Sequence, residues 1–166
     1  MTSLPVYNQF HIRFATPGDV PVILQLIKEL AEYEKLLYMV VADEKSLEES
    51  LFQKKVAEVI VGEVGDTMVG FSLFFHNFST FLGKPGIYIE DIYVKKEYRH
   101  HGYGKAFFRF IAQLAMKRHC GRIEWSVLDW NEPAIQFYKK LGAKPMDEWT
   151  VYRLTADGIK NLAEGS

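Results

Sequence analysis

The stretch "EYRHHGYGKAFF", residues 97–108, sets Gly102 and Gly104 among basic and aromatic side chains, between two apolar runs. Gly-x-Gly costs backbone entropy in any regular element. At a junction of strand and helix it has two readings. One is a plain turn. The other is an anion cradle, because a helix N-terminus leaves amides unpaired and carries partial positive charge. The spacing is not a dinucleotide fingerprint: position 107, where a third glycine would stand, is Phe107. Nor is it a Walker loop, since no Gly-Lys-Ser/Thr follows. Two further groups could do chemistry. Glu90 and Asp91 are adjacent carboxylates in "IYIEDIYV", and Tyr138 follows Phe137 in "NEPAIQFYKKLGA". On a regular strand Glu90 and Asp91 point to opposite faces, so they form no carboxylate pair unless a bulge intervenes. Phe137-Tyr138 taken alone reads as core.

The elements that must carry these residues follow from periodicity. "FHIRFA" alternates as a strand. "TPGD" then opens a helix, with Thr16 as cap, Pro17 in the first turn and Asp19 three residues on. Val20, Ile23, Leu24, Ile27, Leu30 and Ala31 give it an apolar face ending near Leu36. Ala42–Lys54 is a second helix with Asp43 as cap. Val56–Val64 and Met68–Phe78 form a hairpin around Gly65-Asp66. Ile87–Val94 is a strand, Lys105–His119 a helix and Arg122–Leu128 a strand. Asn131–Ala143 is a helix capped by Asn131, with Pro133 in its first turn and Gly142 at its end. Glu148–Leu154 reads as a closing strand, with a short helix after Thr155. The order β-α-α-β-β-β-α-β-α-β implies an α/β fold with a mixed, mostly antiparallel central sheet flanked by helices. One domain over 1–166 is expected, with its core at about 10–155.

Composition narrows the function. Twenty basic residues against 21 acidic ones leave a net charge of −1, with no global case for nucleic acid. The single cysteine, Cys120, cannot form an internal disulfide, which suits a reducing compartment. CxxC and HExxH are absent, so no metal is expected. No apolar run reaches membrane-spanning length and the start lacks a signal-peptide pattern, so a cytoplasmic location is expected.

Three motifs in order carry a family resemblance. "RHHGYG" (Arg99–Gly104) resembles R/Q-x-x-G-x-G/A, the acetyl-CoA pyrophosphate loop of GNAT-type N-acetyltransferases. "IEDIYVKKEYR" resembles that family's fourth strand, and "NEPAIQFYKKLGA" its final cofactor-side helix. "LIKELAEYEKL", "IYIEDIYV" and "VLDWNEPAIQFYKKLGA" together resemble the spermidine/spermine branch, which includes thialysine and diamine acetyltransferases.

The resemblance implies acetyl-CoA as co-substrate and a small amine as acceptor. It implies that Glu90 binds the amine and removes its proton through water. It makes Tyr138 the general acid toward the departing thiolate and leaves Asp91 structural. The backbone of Ile92, Tyr93 and Val94 would pair with the pantetheine arm, one N–H polarising the thioester carbonyl. Amides from His100 through His101, Gly102, Tyr103 and Gly104 to Lys105 would hold the pyrophosphate. The side chains of Arg99 and Lys105 would add charge or be solvated; those of His100 and His101 would face solvent. Asn131 would both cap its helix and bond the cofactor arm. Tyr33, Glu34, Glu124, Trp125 and Ser126 would line the amine site, with Asp147 or Glu148 as a late acid. Trp125, Trp130 and Trp149 read otherwise as packing or dimer contacts, and a homodimer through "DEWTVYRL" is expected.

Two departures bear on the acceptor. "KLLYMVV" follows Glu34, and "FHNFSTFLGK" lacks an acid and a tryptophan, relative to the polyamine branch. Both lower complementarity to a long polycation, so a short diamine or an amino acid such as thialysine or ornithine fits comparably. The competing expectations are a protein N-terminal or lysine acetyltransferase of the same fold, and a non-catalytic acyl-CoA sensor.

Overall fold

The computed structural model describes residues 9–165. The chain divides into two compact units, Met1–Ser126 and Val127–Ser166. The first unit holds one five-stranded sheet in sequence order: β1 (Phe10–Phe14), β2 (Glu58–Val64), β3 (Thr67–Ser79), β4 (Lys84–Val94) and β5 (Ile123–Trp125). The first three pairings are antiparallel, and β5 joins β4 in parallel, as the late crossover requires. Its helices are α1 (Val20–Tyr33), α2 (Glu44–Glu48, extended by a π-turn over Glu49–Gln53) and α3 (Tyr103–Lys117).

Alternation along the strands sorts the core into two faces. Val59, Val61, Phe71 and Tyr93 meet Ile23 and Leu26 of α1 and Leu51 after α2. On the opposite face the strands thin to Gly62 and Gly70, and Phe107 of α3 fills the space. A Cβ built on either glycine would lie 2.8 or 3.2 Å from its ring. Phe107 also packs edge-on against Phe10, with centroids 5.9 Å apart.

The expected opening of α1 at Thr16–Pro17 is displaced: Pro17–Asp19 form a separate 3-10 turn, and α1 begins at Val20. The Asp19 carboxylate accepts the Thr16 amide at 2.7 Å and a two-pronged contact from Arg13 at 2.8 and 2.9 Å. The same guanidinium reaches Glu63 on β2 at 2.6 Å. Hydrogen bonds from Arg13 hold the Asp19 carboxyl at about 2, against an ordinary 3.8, although burial opposes this. The native state therefore binds that proton more weakly than the unfolded chain. The stabilisation is complete above about pH 4 and is lost as pH falls toward 2. Asp19→Asn is expected to lower stability at pH 7 by about 2 kcal/mol. Thermal melts from pH 7 to pH 2 should show the gap to wild type closing below pH 4. A constant gap would mean the carboxylate's charge contributes nothing.

The second unit holds α4 (Glu132–Lys140) and α5 (Ala156–Ala163). The expected closing strand is not formed: residues 150–155 have no regular structure. Trp149, Val151 and Tyr152 are largely exposed there. Alternation and β-propensity supply a strand's shape, but a strand exists only where a neighbour's N–H and C=O groups complete the ladder. No strand among the described residues does so. β5 is likewise shorter than the expected Arg122–Leu128, because β4 pairs with it only over Ile87–Ile89.

Candidate active site

The feature that sets the site's geometry is one extra residue in β4. Leu73 pairs with Asp91 and Phe74 with Ile89, so Glu90 is left between them as a β-bulge. The bulge reverses the alternation. Ile89 lies on the α3 face with Phe74, whereas Asp91 lies with Leu73, Phe71 and Tyr93 on the α1 face. Glu90 follows Tyr88 by two residues on that same face, so the adjacent carboxylates share it. The expectation of opposed faces is thus corrected, through the one exception a strand allows. The carbonyl of Asp91 accepts the hydroxyl of fully buried Ser72 at 2.9 Å.

Glu90 is exposed and Asp91 half-buried. Burial first, then the charges of Glu90 and Glu34, push the Asp91 carboxyl up to about 6 from an ordinary 3.8. Burial also raises Glu34, which caps the C-terminal end of α1. Glu34, Glu90 and Asp91 thus form one electrostatic group suited to an ammonium ion. Nothing in the residue order announces the bulge that brings Asp91 beside Glu90. The native pKa of Asp91 exceeds its unfolded one, so stability should fall as pH rises from about 4 to about 6. Asp91→Asn is expected to stabilise the protein at pH 7 by roughly 2 kcal/mol, with no gain at pH 4. Urea titrations at the two pH values check this. Equal effects at both would discard burial of charge as the cause.

Beyond the bulge, β4 outruns its neighbour. β5 pairs only with Ile87–Ile89, so the β5-side edge of Glu90–Val94 has no strand partner among the described residues. Ile92, Tyr93 and Val94 pair on their other side with Ser72, Phe71 and Gly70. The chain then turns through His100 (φ 66°) and Gly102 (φ 80°) into α3. Around Gly102 a Cβ would meet nothing within 4 Å, so glycine serves the left-handed backbone there and not a tight approach. The first bond of α3 runs from the Ala106 amide to the Gly102 carbonyl, and no side chain caps the helix. The amides of Tyr103, Gly104 and Lys105 therefore lie in the uncapped first turn, at the positive end of the dipole.

Side chains of the loop are less available than their types suggest. Arg99 donates through Nε to the Val94 carbonyl at 3.0 Å and sits over the rings of Tyr33 and Tyr93. His101 is exposed, as expected, yet its Nδ1 lies 2.8 Å from the Arg99 carbonyl and its ring stacks on Tyr103. His100 and Lys105 are exposed. On β5 the expected amine wall divides. Glu124 pairs with Arg122 at 2.9 Å and accepts from Asn77 at 3.1 Å, and Ser126 lies 2.8 Å from the Tyr88 hydroxyl. Trp125 packs on Phe108 of α3, with centroids 4.8 Å apart.

Residues 24–143 match the family model described as the acetyltransferase (GNAT) family. The chain belongs to the GNAT acetyltransferase family. It is 40% identical to the thialysine N-epsilon-acetyltransferase of Sus scrofa, over 92% of this chain and 96% of that one. It is 33% identical to the L-ornithine N5-acetyltransferase NATA1 of Arabidopsis thaliana, over 91% and 86%. An integron cassette protein from the mobile metagenome of V. cholerae shares the fold, with a TM-score of 0.79 at 24% identity, covering 94% of this chain and 98% of its own. With these relatives, the open β4 edge and the glycine turn belong to an N-acetyltransferase.

The second unit carries the acetyltransferase's remaining expected residues. The largely buried Asn131 accepts the Ala134 amide at 3.4 Å, so its capping role is met. Tyr138 lies on α4 beside Phe137, with centroids 5.7 Å apart. α4 ends as foreseen, with Gly142 at φ 87° and the Ala143 amide bonded to the Tyr138 carbonyl. Asp147 and Glu148 are both exposed. No cluster of His, Cys, Asp or Glu among the described residues could hold a metal ion. No described helix is long and apolar enough to cross a membrane.

Proposed function

We propose that this enzyme transfers the acetyl group of acetyl-CoA to a primary amine of a small diamine, polyamine or thialysine-like amino acid, by direct attack within a ternary complex. The observation that carries it is the bulge at Glu90. It sets Glu90 and Asp91 together near Glu34, beside a strand edge that has no partner strand among the described residues.

The chain's residues fit acetyl-CoA. The free edge of Glu90–Val94 suits a ligand that adds as a strand, and the first turn of α3 suits a pyrophosphate. Acetyl-CoA supplies an activated thioester acyl group. Ile92 and Val94, whose backbone N–H groups face the open edge, orient its arm, and the amides of Tyr103–Lys105 hold its phosphates; the backbone of Tyr93 is turned to β3. An alkylammonium has a reference pKa near 10.4, so on the order of one molecule in a few thousand is neutral at pH 7. Glu34, Glu90 and Asp91 attract the cation, and Glu90, the exposed member, takes the proton through water. Tyr138 gives its phenolic proton to the leaving sulfur. Asn131 caps α4 and bonds the arm.

Among amines, short acceptors are favoured. Glu124 is already paired with Arg122, and Leu37, Tyr38, Met39 and Val41 after Glu34 are apolar and exposed. Few carboxylates therefore extend the site for a long polycation. A homodimer through the exposed residues around Trp149 and Tyr152 belongs to the same proposal.

Release of coenzyme A should be followed over thialysine, ornithine, putrescine, spermidine, spermine, lysine and an N-terminal peptide. Turnover is expected to be fastest on thialysine, ornithine or putrescine. Glu90→Gln should cost roughly tenfold in kcat/KM, since water and Asp91 remain to share the proton. Turnover confined to the peptide would replace this reading with protein acetylation. Binding of acetyl-CoA without turnover of any amine would replace it with a sensor.

A further inference from the structure

We propose that Arg99 is a positioning residue for the amine site, holding the end of α1 in place, and that its side chain does not bind the phosphates of acetyl-CoA. The assignment rests on the acceptor site proposed above.

Arg99 begins the glycine loop, where a cation is the obvious partner for a pyrophosphate. Its Nε–H and its planar face are engaged elsewhere. Nε donates to the Val94 carbonyl at 3.0 Å, which fixes the plane of the group. Its central carbon lies 4.9 Å from the centre of the Tyr33 ring and 5.6 Å from that of Tyr93. Both distances are within the reach of cation–π attraction. Tyr93 is itself anchored: it is buried, and its hydroxyl donates to Glu29 at 3.3 Å. Arg99 therefore joins three places: the end of β4, the start of the cofactor loop and the last residue of α1.

The last residue of α1 is Tyr33, and the next is Glu34. The helix stops there because Lys35 takes φ 61° and the Leu36 amide turns back to the Ala31 carbonyl. Glu34 is one of the charges acting on Asp91. Fixing Tyr33 thus fixes where the Glu34 carboxylate stands relative to the bulge. Two rings and a carbonyl hold the plane and the Nε–H of the guanidinium, and the first turn of α3 already offers uncapped amides to a phosphate. Lysine distinguishes the roles, because it keeps the charge and loses the planar face and the Nε–H.

The test compares Arg99→Lys and Arg99→Met with wild type. Calorimetry gives the Kd for coenzyme A, and initial rates give the KM for the amine. Both variants are expected to raise the amine KM roughly tenfold and to change the Kd for coenzyme A less than about threefold. Lysine should rescue neither. A Kd for coenzyme A that rises as much as the amine KM, or recovery of both by lysine, overturns the assignment. Hydrogen exchange gives a readout that needs no turnover. Amides of residues 28–36 should exchange roughly tenfold faster in both variants, with those of residues 103–108 unchanged. Unchanged exchange over residues 28–36 overturns the proposal even on protein that acetylates none of the amines tested.

Discussion

Replacing Tyr138 with Phe is expected to lower kcat by about 10²–10³-fold while the KM for the amine and the Kd for coenzyme A stay within about threefold. This follows from the proposed general-acid role. The substitution removes one oxygen and keeps the ring, so packing against Phe137 and the helical backbone of α4 are preserved. What is lost is a proton donor whose reference pKa is near 10, suited to a departing thiolate. An interaction used only as the thiolate leaves acts on kcat and kcat/KM alike. The check is steady-state kinetics with equilibrium binding on the same preparations. A thiol ester with a better leaving group should narrow the gap to wild type, because it needs the proton less. A uniform rise in both KM values with unchanged kcat would assign Tyr138 to binding.

Phe107→Ala should destabilise the enzyme by about 3–5 kcal/mol. Phe107 is fully buried and bridges α3 and the sheet above Gly62 and Gly70. Both glycines lack a side chain that could relax into the cavity. Phe10, which packs on Phe107, is also held by stacking on Tyr103 at 4.1 Å. A site that cannot collapse keeps the full cavity cost. Tyr103 opens α3, so the same loss should loosen the helix start and weaken coenzyme A binding. Urea unfolding followed by tryptophan fluorescence measures the first effect and calorimetry the second. A loss below about 1.5 kcal/mol would mean that neighbours refill the space.

Phe107 also explains why the glycine loop is not a dinucleotide fingerprint. In that fingerprint the third glycine stands on the helix so that helix and strand can approach closely. Here the small residues are on the strands and the large one is on the helix. The uncapped first turn of the helix is retained with a different packing solution behind it.

Local features were legible because their causes lie within a few residues. The Thr16–Asp19 turn that leads into α1, the Gly65-Asp66 hairpin turn, Asn131 capping α4 and Gly142 ending it all appear where their side chains or backbone freedom require. The glycine turn into a helix was legible for the same reason, and the motifs around it sufficed to indicate the family. What depends on partners distant in sequence was not legible. The strand expected at Glu148–Leu154 has the right alternation and no ladder, and β5 stops where β4 ceases to pair with it. Arg99 reads as a loop cation and is held by Tyr33 and Tyr93, which only folding brings beside it.

The bulge at Glu90 shows the division most plainly. The sequence states that two carboxylates are adjacent. Whether they oppose or cooperate depends on the register between β3 and β4, and a shift of one residue turns a side chain to the other face of the sheet. The chemistry available to this enzyme was therefore written in residue types, while the face of the sheet that presents these carboxylates was decided by strand pairing.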